Sequence, residues 1–263
     1  MTHTLYQVDA FTEKPFKGNP AGVCLLAGPK SDRWMQNLAK EMNISETAYL
    51  LPEEGGWRLR WFTPKTEVDL CGHATLASAK VLFELHPELR DEQVRFYTKS
   101  GDLQARWVDG GVELDFPAMA GQPFSYEGNV DQALGLRTLE GVYSGNYFLF
   151  LAEDERQVRK AQPDISGLEK LPMLEVIITA ESRDPEFDFV SRFFAPQLGV
   201  DEDPVTGSAH CLLTPYWANK LGKSTLNAYQ ASARGGRLRV RLEGERVKIQ
   251  GAAKIIFKAE LFI

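Results

Sequence analysis

Two short segments carry the residue types best able to do chemistry in this chain of 263 residues. In 68-VDLCGHATLASA-79, Cys71, Gly72 and His73 stand at the start of what reads as a helix, and 203-DPVTGSAHCLLT-214 repeats the arrangement with Thr206, Gly207 and Ser208. The first turn of a helix presents backbone N–H groups without internal partners, and the peptide dipoles add partial positive charge there. Such ends suit the carboxylate of a small molecule, and glycine at 72 and 207 lets a backbone approach closely. Glycine there also serves a plain tight turn. The two turns differ in acid–base power, because the Thr206 hydroxyl is a poor base toward a carbon acid near neutral pH. Cys71 reads in two ways, as a thiol lowered in pKa by the helix start or as a small buried residue kept for packing, and packing is favoured.

Glu46, in 43-NISETAY-49, is a third candidate. If 44–51 is a strand, Ile44, Glu46, Ala48 and Leu50 share a face, opposite Ser45, Thr47, Tyr49 and Leu51. A carboxylate among apolar neighbours keeps its proton to higher pH than an exposed one, which suits a group that takes and returns a proton. On the residues alone, an exposed glutamate or a simple ion pair is the commoner arrangement. His73, with an ordinary imidazole pKa of about 6.5, can bind a substrate by hydrogen bond or hold a proton. Asp203 precedes Pro204 and reads equally as a turn initiator, while Thr206 and Ser208 read equally as helix caps.

Other motifs fail. In 220-KLGKST-225 the glycine that a phosphate loop requires five positions before Gly222 is Trp217. Four histidines and three cysteines show no paired spacing for zinc. Ser208 lacks the flanking glycines of a nucleophile elbow.

These residues need elements to place them. Alternation of apolar and polar residues predicts strands over 4–11, 57–63, 103–108, 111–116, 238–243 and 246–251. A helix is expected over 31–43, with Ser31 as N-cap, Trp34, Leu38 and Met42 on one face and Asn43 at the exit. A second helix starts near Gly72–Ala74 and runs to about Leu85. A third starts near Gly207–Ala209 and runs toward Leu221 and Gly222, with Pro215 expected to kink or split it. The irregular stretch 117–129 is the best linker candidate.

The halves resemble each other. Cys71-Gly72-His73-Ala74 aligns with Thr206-Gly207-Ser208-Ala209 at a spacing of 135, and 101-GDLQARWVDGGVEL-114 aligns with 236-GRLRVRLEGERVKI-249 at the same spacing. A third match, 60-RWFTP-64 with 192-RFFAP-196, lies at 132, so the second half carries three extra residues before its turn. Ordered recurrence of this kind indicates a duplicated unit.

Hydrophobic and charged contents of 43% and 25% are those of an ordinary soluble globular chain. The net charge of −6 argues against nucleic acid or an anionic membrane as main partner, and the basic cluster Arg234, Arg237, Arg239 and Arg241 reads as one face of a strand. The first residues lack a signal-peptide pattern, no apolar run has the length of a membrane span, and three unpaired-looking cysteines suit a reducing cytoplasm.

The strings 9-DAFTEKPFKGNPAGV-23, 43-NISETAYL-50, 60-RWFTPKTEVDLCGHAT-75, 203-DPVTGSAH-210 and 230-QASARGG-236 resemble, in order, the phenazine-biosynthesis (PhzF-like) isomerase family, a branch of the diaminopimelate-epimerase fold. The resemblance implies an α+β fold of two pseudo-symmetric domains, each a mixed β-barrel around a central helix, with the active site in the cleft between them. The expected domains are 1–118 and 119–263, with the last strand free to return to the first. The resemblance also implies a homodimer with no metal and no organic cofactor.

In the thiol epimerases of this fold two cysteines face each other, one from each half. Here Cys71 stands at one position and Thr206 at the other, so a two-thiol racemase is disfavoured. The PhzF-like pattern instead uses one glutamate as proton carrier, and Glu46 matches it. His73 and Asp203 match the family's other polar site positions, and Ser208 its helix-start hydroxyl. Asn19, in the Gly18-Asn19-Pro20 motif, matches a turn in the pocket wall, and Arg234-Gly235-Gly236 is a candidate to close the site from the second half.

The expected function is acid/base isomerisation of a small carboxylate-bearing metabolite. Glu46, His73 and Asp203 are the catalytic candidates, and Gly72, Gly207, Ser208 and Asn19 bind substrate. The alternatives are an epimerase or racemase using Cys71 and a metabolite-binding protein that kept the scaffold without the chemistry. The resemblance does not carry the substrate over.

Overall fold

The computed structural model describes residues 3–126 and 129–263 of the chain. The fold is α+β, with mixed sheet and few helices, and it divides into two compact units: residues 1–116 with 249–263, and residues 117–248. The division differs from the expected 1–118 and 119–263 in returning all of 249–263 to the first unit.

In unit 1 the strands are β1 (His3–Ala10), β2 (Asn19–Leu25), β3 (Glu46–Glu53), β4 (Gly56–Phe62), β5 (Glu67–Val68), β6 (Gln93–Thr98), β7 (Gly101–Val108) and β8 (Gly111–Pro117). The helices are α1 (Asp32–Met42) and α2 (Gly72–Leu85). Unit 2 contains β9 (Gln122–Phe124), β10 (Thr138–Ser144), β11 (Tyr147–Ala152), β12 (Glu175–Glu181), β13 (Phe189–Ala195), β14 (Val200–Asp203), β15 (Thr225–Gln230) and β16 (Gly236–Glu243). Its helices are α3 (Asn129–Leu134), α4 (Glu155–Lys160), α5 (Ile165–Glu169) and α6 (His210–Leu221). The chain leaves unit 2 within β17 (Arg246–Gly251) and ends on β18 (Ala253–Leu261), which pairs antiparallel with β1. Among the described residues, no helix is long and apolar enough to cross a membrane.

The duplication read from the sequence is a duplication of strand pairing. In unit 1, β1–β2 is antiparallel, β2–β3 parallel, β3–β4 and β4–β5 antiparallel, β4–β6 parallel and β6–β7 antiparallel. Unit 2 repeats this sequence of senses through β10–β11, β11–β12, β12–β13, β13–β14, β13–β15 and β15–β16. The helix-opening turns fall at the same place in each copy, between the fifth and sixth strands of the series.

Each turn leads into a buried helix. In α2, the residues from Gly72 to Ala79 and then Val81, Leu82 and Phe83 are all buried, so the helix is covered nearly all round. Its two buried hydroxyls are satisfied internally, Thr75 Oγ1 donating to the Cys71 carbonyl at 2.6 Å and Ser78 Oγ to the Ala74 carbonyl at 2.7 Å. The amphipathic α1 lies over the other side of β3, where Met35, Leu38 and Ala39 pack with Tyr49 and Phe62. Ser31 accepts from the Trp34 N–H and Asn43 takes φ 50°, which are the start and stop expected there.

Helix α6 departs from expectation. It begins at His210, so Gly207 and Ser208 lie in the turn before it, and it runs unbroken through Pro215 to the left-handed cap at Gly222. Proline removes the N–H that would bond the Cys211 carbonyl, and that carbonyl accepts instead from the Met119 N–H at 2.9 Å. The helix survives because a neighbouring segment replaces the lost donor. Neither α2 nor α6 has a side-chain cap at its start, so Thr206 and Ser208 are not caps. Three residues of the basic cluster, Arg237, Arg239 and Arg241, share one face of β16, with Arg237 and Arg239 exposed and Leu238 and Val240 buried, while Arg234 lies in the bend before the strand.

Candidate active site

Glu46 is the first residue of β3 and pairs across the parallel ladder with Ala21 of β2. The strand begins two residues later than expected, and Thr47 and Ala48 are both buried, so both faces of β3 meet protein. Such a strand shows no clean alternation. Asn19 opens β2, is fully buried, and accepts from Ser45 Oγ at 3.3 Å, which ties the Gly18-Asn19-Pro20 turn to the residue before Glu46.

From the first turn of α2, His73 reaches the same place. Its Nε2 lies 3.0 Å from Glu46 Oε2, with the two side chains only 6% and 17% exposed. Both atoms are buried and off the alignment of a good hydrogen bond, so the attraction is mainly Coulombic and each keeps bonding capacity for a third group. On the other edge of the ring, His73 Nδ1 lies 3.5 Å from Cys71 Sγ. The imidazole therefore stands between a thiol and a carboxylate.

Burial opposes the charged imidazolium, yet the Cys71 sulfur and the Glu46 carboxylate outweigh it and hold His73 well above its ordinary 6.5. His210 shows burial acting without a carboxylate: equally enclosed, its Nδ1 2.8 Å from the Thr206 carbonyl oxygen, it is lowered to about 4. Glu46→Gln is accordingly expected to move the His73 titration downward, toward that of His210, as read by ¹⁵N NMR of the ring nitrogens. An unchanged titration would show that the carboxylate is not what holds the proton. Because the folded value is raised, the stability this histidine contributes is complete below pH 6.5 and is lost as pH rises through the folded value.

Cys71 behaves opposite to a helix-activated thiol. Burial, and then the Glu46 carboxylate, push it up to about 11. The sequence shows no zinc spacing, but the fold brings ligand atoms of Glu46, Cys71 and His73 within 4.8 Å of one another, the one such trio among the described residues. The thiol and the carboxylate meet opposite ring nitrogens, whose lone pairs diverge, so one ion could use the ring from one side only. The trio is arranged as a chain through the imidazole.

In unit 2, Asp203 ends β14 and accepts from Thr206 Oγ1 across the turn. Gln230, met in the sequence only as the first residue of a motif, is the organiser here. It is buried, accepts from the Thr206 N–H at 2.8 Å, and donates to the Asp203 carbonyl at 2.8 Å and to Thr206 Oγ1 at 3.2 Å. Ser232 Oγ donates to the Pro204 carbonyl and accepts from the Gly235 N–H, which fastens the Arg234-Gly235-Gly236 stretch to the same turn. Gly207 and Ser208 follow, and Ser208 is half-buried. Each unit thus assembles its own share of the predicted residues: Asn19, Glu46, Gly72 and His73 in one, Asp203, Gly207 and Ser208 in the other.

The sequence overlooked Tyr147 and Glu175, the first residues of β11 and β12 and direct partners in their parallel ladder. Tyr147 interacts with the Ser208 hydroxyl as well as with Glu175.

Comparison with known proteins identifies the family. The family model for phenazine biosynthesis-like proteins matches residues 8–259. The chain is 48% identical to a protein of Halalkalibacterium halodurans described as an uncharacterized isomerase, over the whole of both chains. It is 51% identical to another uncharacterized isomerase, from Pseudomonas aeruginosa, over 95% of each. The crystal structure of a phenazine biosynthesis protein of the PhzF family from Enterococcus faecalis superposes with a TM-score of 0.96 at 43% identity, covering 100% of both chains. With its motifs, its duplicated strand order and these relatives in agreement, the chain belongs to the phenazine biosynthesis-like, or PhzF, family of isomerases.

Proposed function

We propose that the protein is an isomerase that moves a proton within a small carboxylate-bearing metabolite, with Glu46 as the proton carrier. The observation that carries this reading is the pairing of Glu46 with His73: a carboxylate held beside an imidazolium, each with bonding capacity left over. The names of the relatives support isomerase activity.

The chemistry balances without a redox step. Glu46 takes a proton from a carbon next to an electron-withdrawing group, and the C–H electron pair moves into the adjacent unsaturated system. The protonated Glu46 then returns the proton to another carbon of that system, the electrons shift back, and the carboxylate is restored. One base suffices when the proton leaves and returns on the same face. His73 stands beside the carboxylate that takes the proton and is placed to hydrogen-bond the reacting molecule. Nothing in this scheme draws on a cofactor. The roles left to Asp203, Gly72, Gly207, Ser208 and Asn19 are to hold the substrate's polar groups.

The test is deuterium uptake. Pools of small carboxylic acids, cyclic acids and amino acids included, are incubated in heavy water with the wild type and with Cys71→Ser, then read by mass spectrometry. One acid gaining deuterium or rearranging with both proteins is expected. Uptake by the wild type alone would move the chemistry to the thiol. Binding of an acid without any exchange would make the protein a metabolite-binding relative.

A further inference from the structure

The duplication can be followed residue by residue through the strand pairings. Thr47 of β3 faces Phe62 of β4, and Val176 of β12 faces Phe194 of β13. Phe62 and Phe194 are equivalent, each the third residue of the repeated 60-RWFTP-64 and 192-RFFAP-196. Val176 therefore corresponds to Thr47, and Glu175 to Glu46, each glutamate opening its strand. In the helix-opening turns Ser208 stands where His73 stands. Unit 2 thus keeps a glutamate at the position of the proton carrier, opposite a serine in place of the imidazole.

Serine is shorter than the histidine of unit 1, and a tyrosine stands beside the glutamate in the ladder. Tyr147 lies directly across the β11–β12 ladder from Glu175, and its phenol interacts with both the Glu175 carboxylate and the Ser208 hydroxyl. All three residues are half-buried, so the cluster keeps access to solvent. We propose that Glu175, Tyr147 and Ser208 form a binding site for an anionic oxygen of a small acid, the duplicate of the Glu46–His73 pair, with the tyrosine and serine hydroxyls donating and Glu175 taking up a proton as the anion binds.

The electrostatics suit that role. Burial pushes Glu175 up to about 7, against the hydrogen bond from Tyr147, so it changes charge near neutrality. Cys211 on α6 is the other titratable group acting on Tyr147, and burial pushes its thiol up to about 12, which leaves it neutral. A protonated Glu175 tolerates an anion beside it; an ionised one repels it.

Two readouts on the full-length protein test the site. The first needs no substrate. Glutamate labelled at its carboxyl carbon is titrated by ¹³C NMR in acetate and in chloride of equal ionic strength. Acetate is expected to raise the Glu175 titration by about one pH unit, and this rise is expected to vanish in Ser208→Ala and Tyr147→Phe. Equal titration in the two salts overturns the proposal.

The second readout rests on the proposed function and uses the acid that exchanges deuterium. For the wild type, KM is expected to rise about tenfold per pH unit above neutrality with kcat steady. Glu175→Gln, which imitates the protonated acid, is expected to keep KM low across that range. Superposed KM profiles for the two proteins would overturn the site while leaving Glu46 as carrier. Persistent exchange in Glu46→Gln would instead remove the carrier and leave the acetate result to stand by itself.

Discussion

Glu46→Gln is expected to lower deuterium exchange by about two to four orders of magnitude, the scale on which removing a general base acts. The amide keeps the size and the polar contacts of the carboxylate but cannot take a proton from carbon. Structural damage from the change is expected to be small. Glu46 sits at the first position of β3, its side chain is partly exposed, and glutamine can still present an oxygen to His73 Nε2 across 3.0 Å. A melting temperature near that of the wild type, with exchange gone, is the expected pair of results. If exchange survives within about tenfold of wild type, Glu46 is not the carrier, whatever the His73 titration does.

The second large effect is on the turn that holds Asn19. Gly18 has φ +66°, and a Cβ built there would stand 2.0 Å from the Ala10 carbonyl oxygen. A left-handed alanine costs about 1 kcal/mol by itself. The clash is with backbone, which cannot rotate away, so β1 or the turn must shift. Gly18→Ala is expected to destabilise the protein by about 3–5 kcal/mol and to lower the melting temperature by roughly 10 °C. The turn also contains Phe11 at φ 62° and Phe16 at φ 66°, so it has little conformational slack. Displacing it moves Asn19, and with it the hydrogen bond to Ser45 beside Glu46. Exchange is therefore expected to fall further than the lost stability explains. A melting temperature within about 2 °C of wild type would show that the turn has room the structure denies it.

Legibility in the sequence follows burial. Strands with one wet face were readable: β16 alternates buried and exposed residues along Gly236–Val240, and 238–243 stood out as a strand. Strands enclosed on both faces were not. In β12, the five residues from Val176 to Ala180 are all buried, so the run has no period to detect. Helix α1 was legible to the residue because its caps are local chemistry. The fate of Pro215 was not, because the replacement donor comes from Met119, far away in the chain.

The same division holds for the candidate site. Glu46, His73 and Asn19 lie in contiguous motifs, and the fold brings Glu46 to His73 and Asn19 to the residue beside Glu46. Glu175 opens 175-EVIITA-180, which shares with 46-ETAYLL-51 little beyond the glutamate, at a spacing of 129 where the later matches lie at 132 and 135. Only the ladder register, which counts hydrogen-bonded neighbours across strands, exposes that equivalence. Gln230 was hidden for a related reason: its three bonds all reach back to the Asp203–Thr206 turn.

The bond from the Met119 N–H to the Cys211 carbonyl bears on where this chain can be cut. Residues 118–120 have no regular structure, and from the outside they look like a dispensable tether. Yet the proline in α6 has made one of them a missing rung of that helix. A fragment of unit 2 that began at Gln122 would bury an unanswered carbonyl in its own centre, whereas one that began at Pro117 would bring the answering amide along. The helix is complete in space but not in sequence, and its spare part is kept at the entrance to the unit.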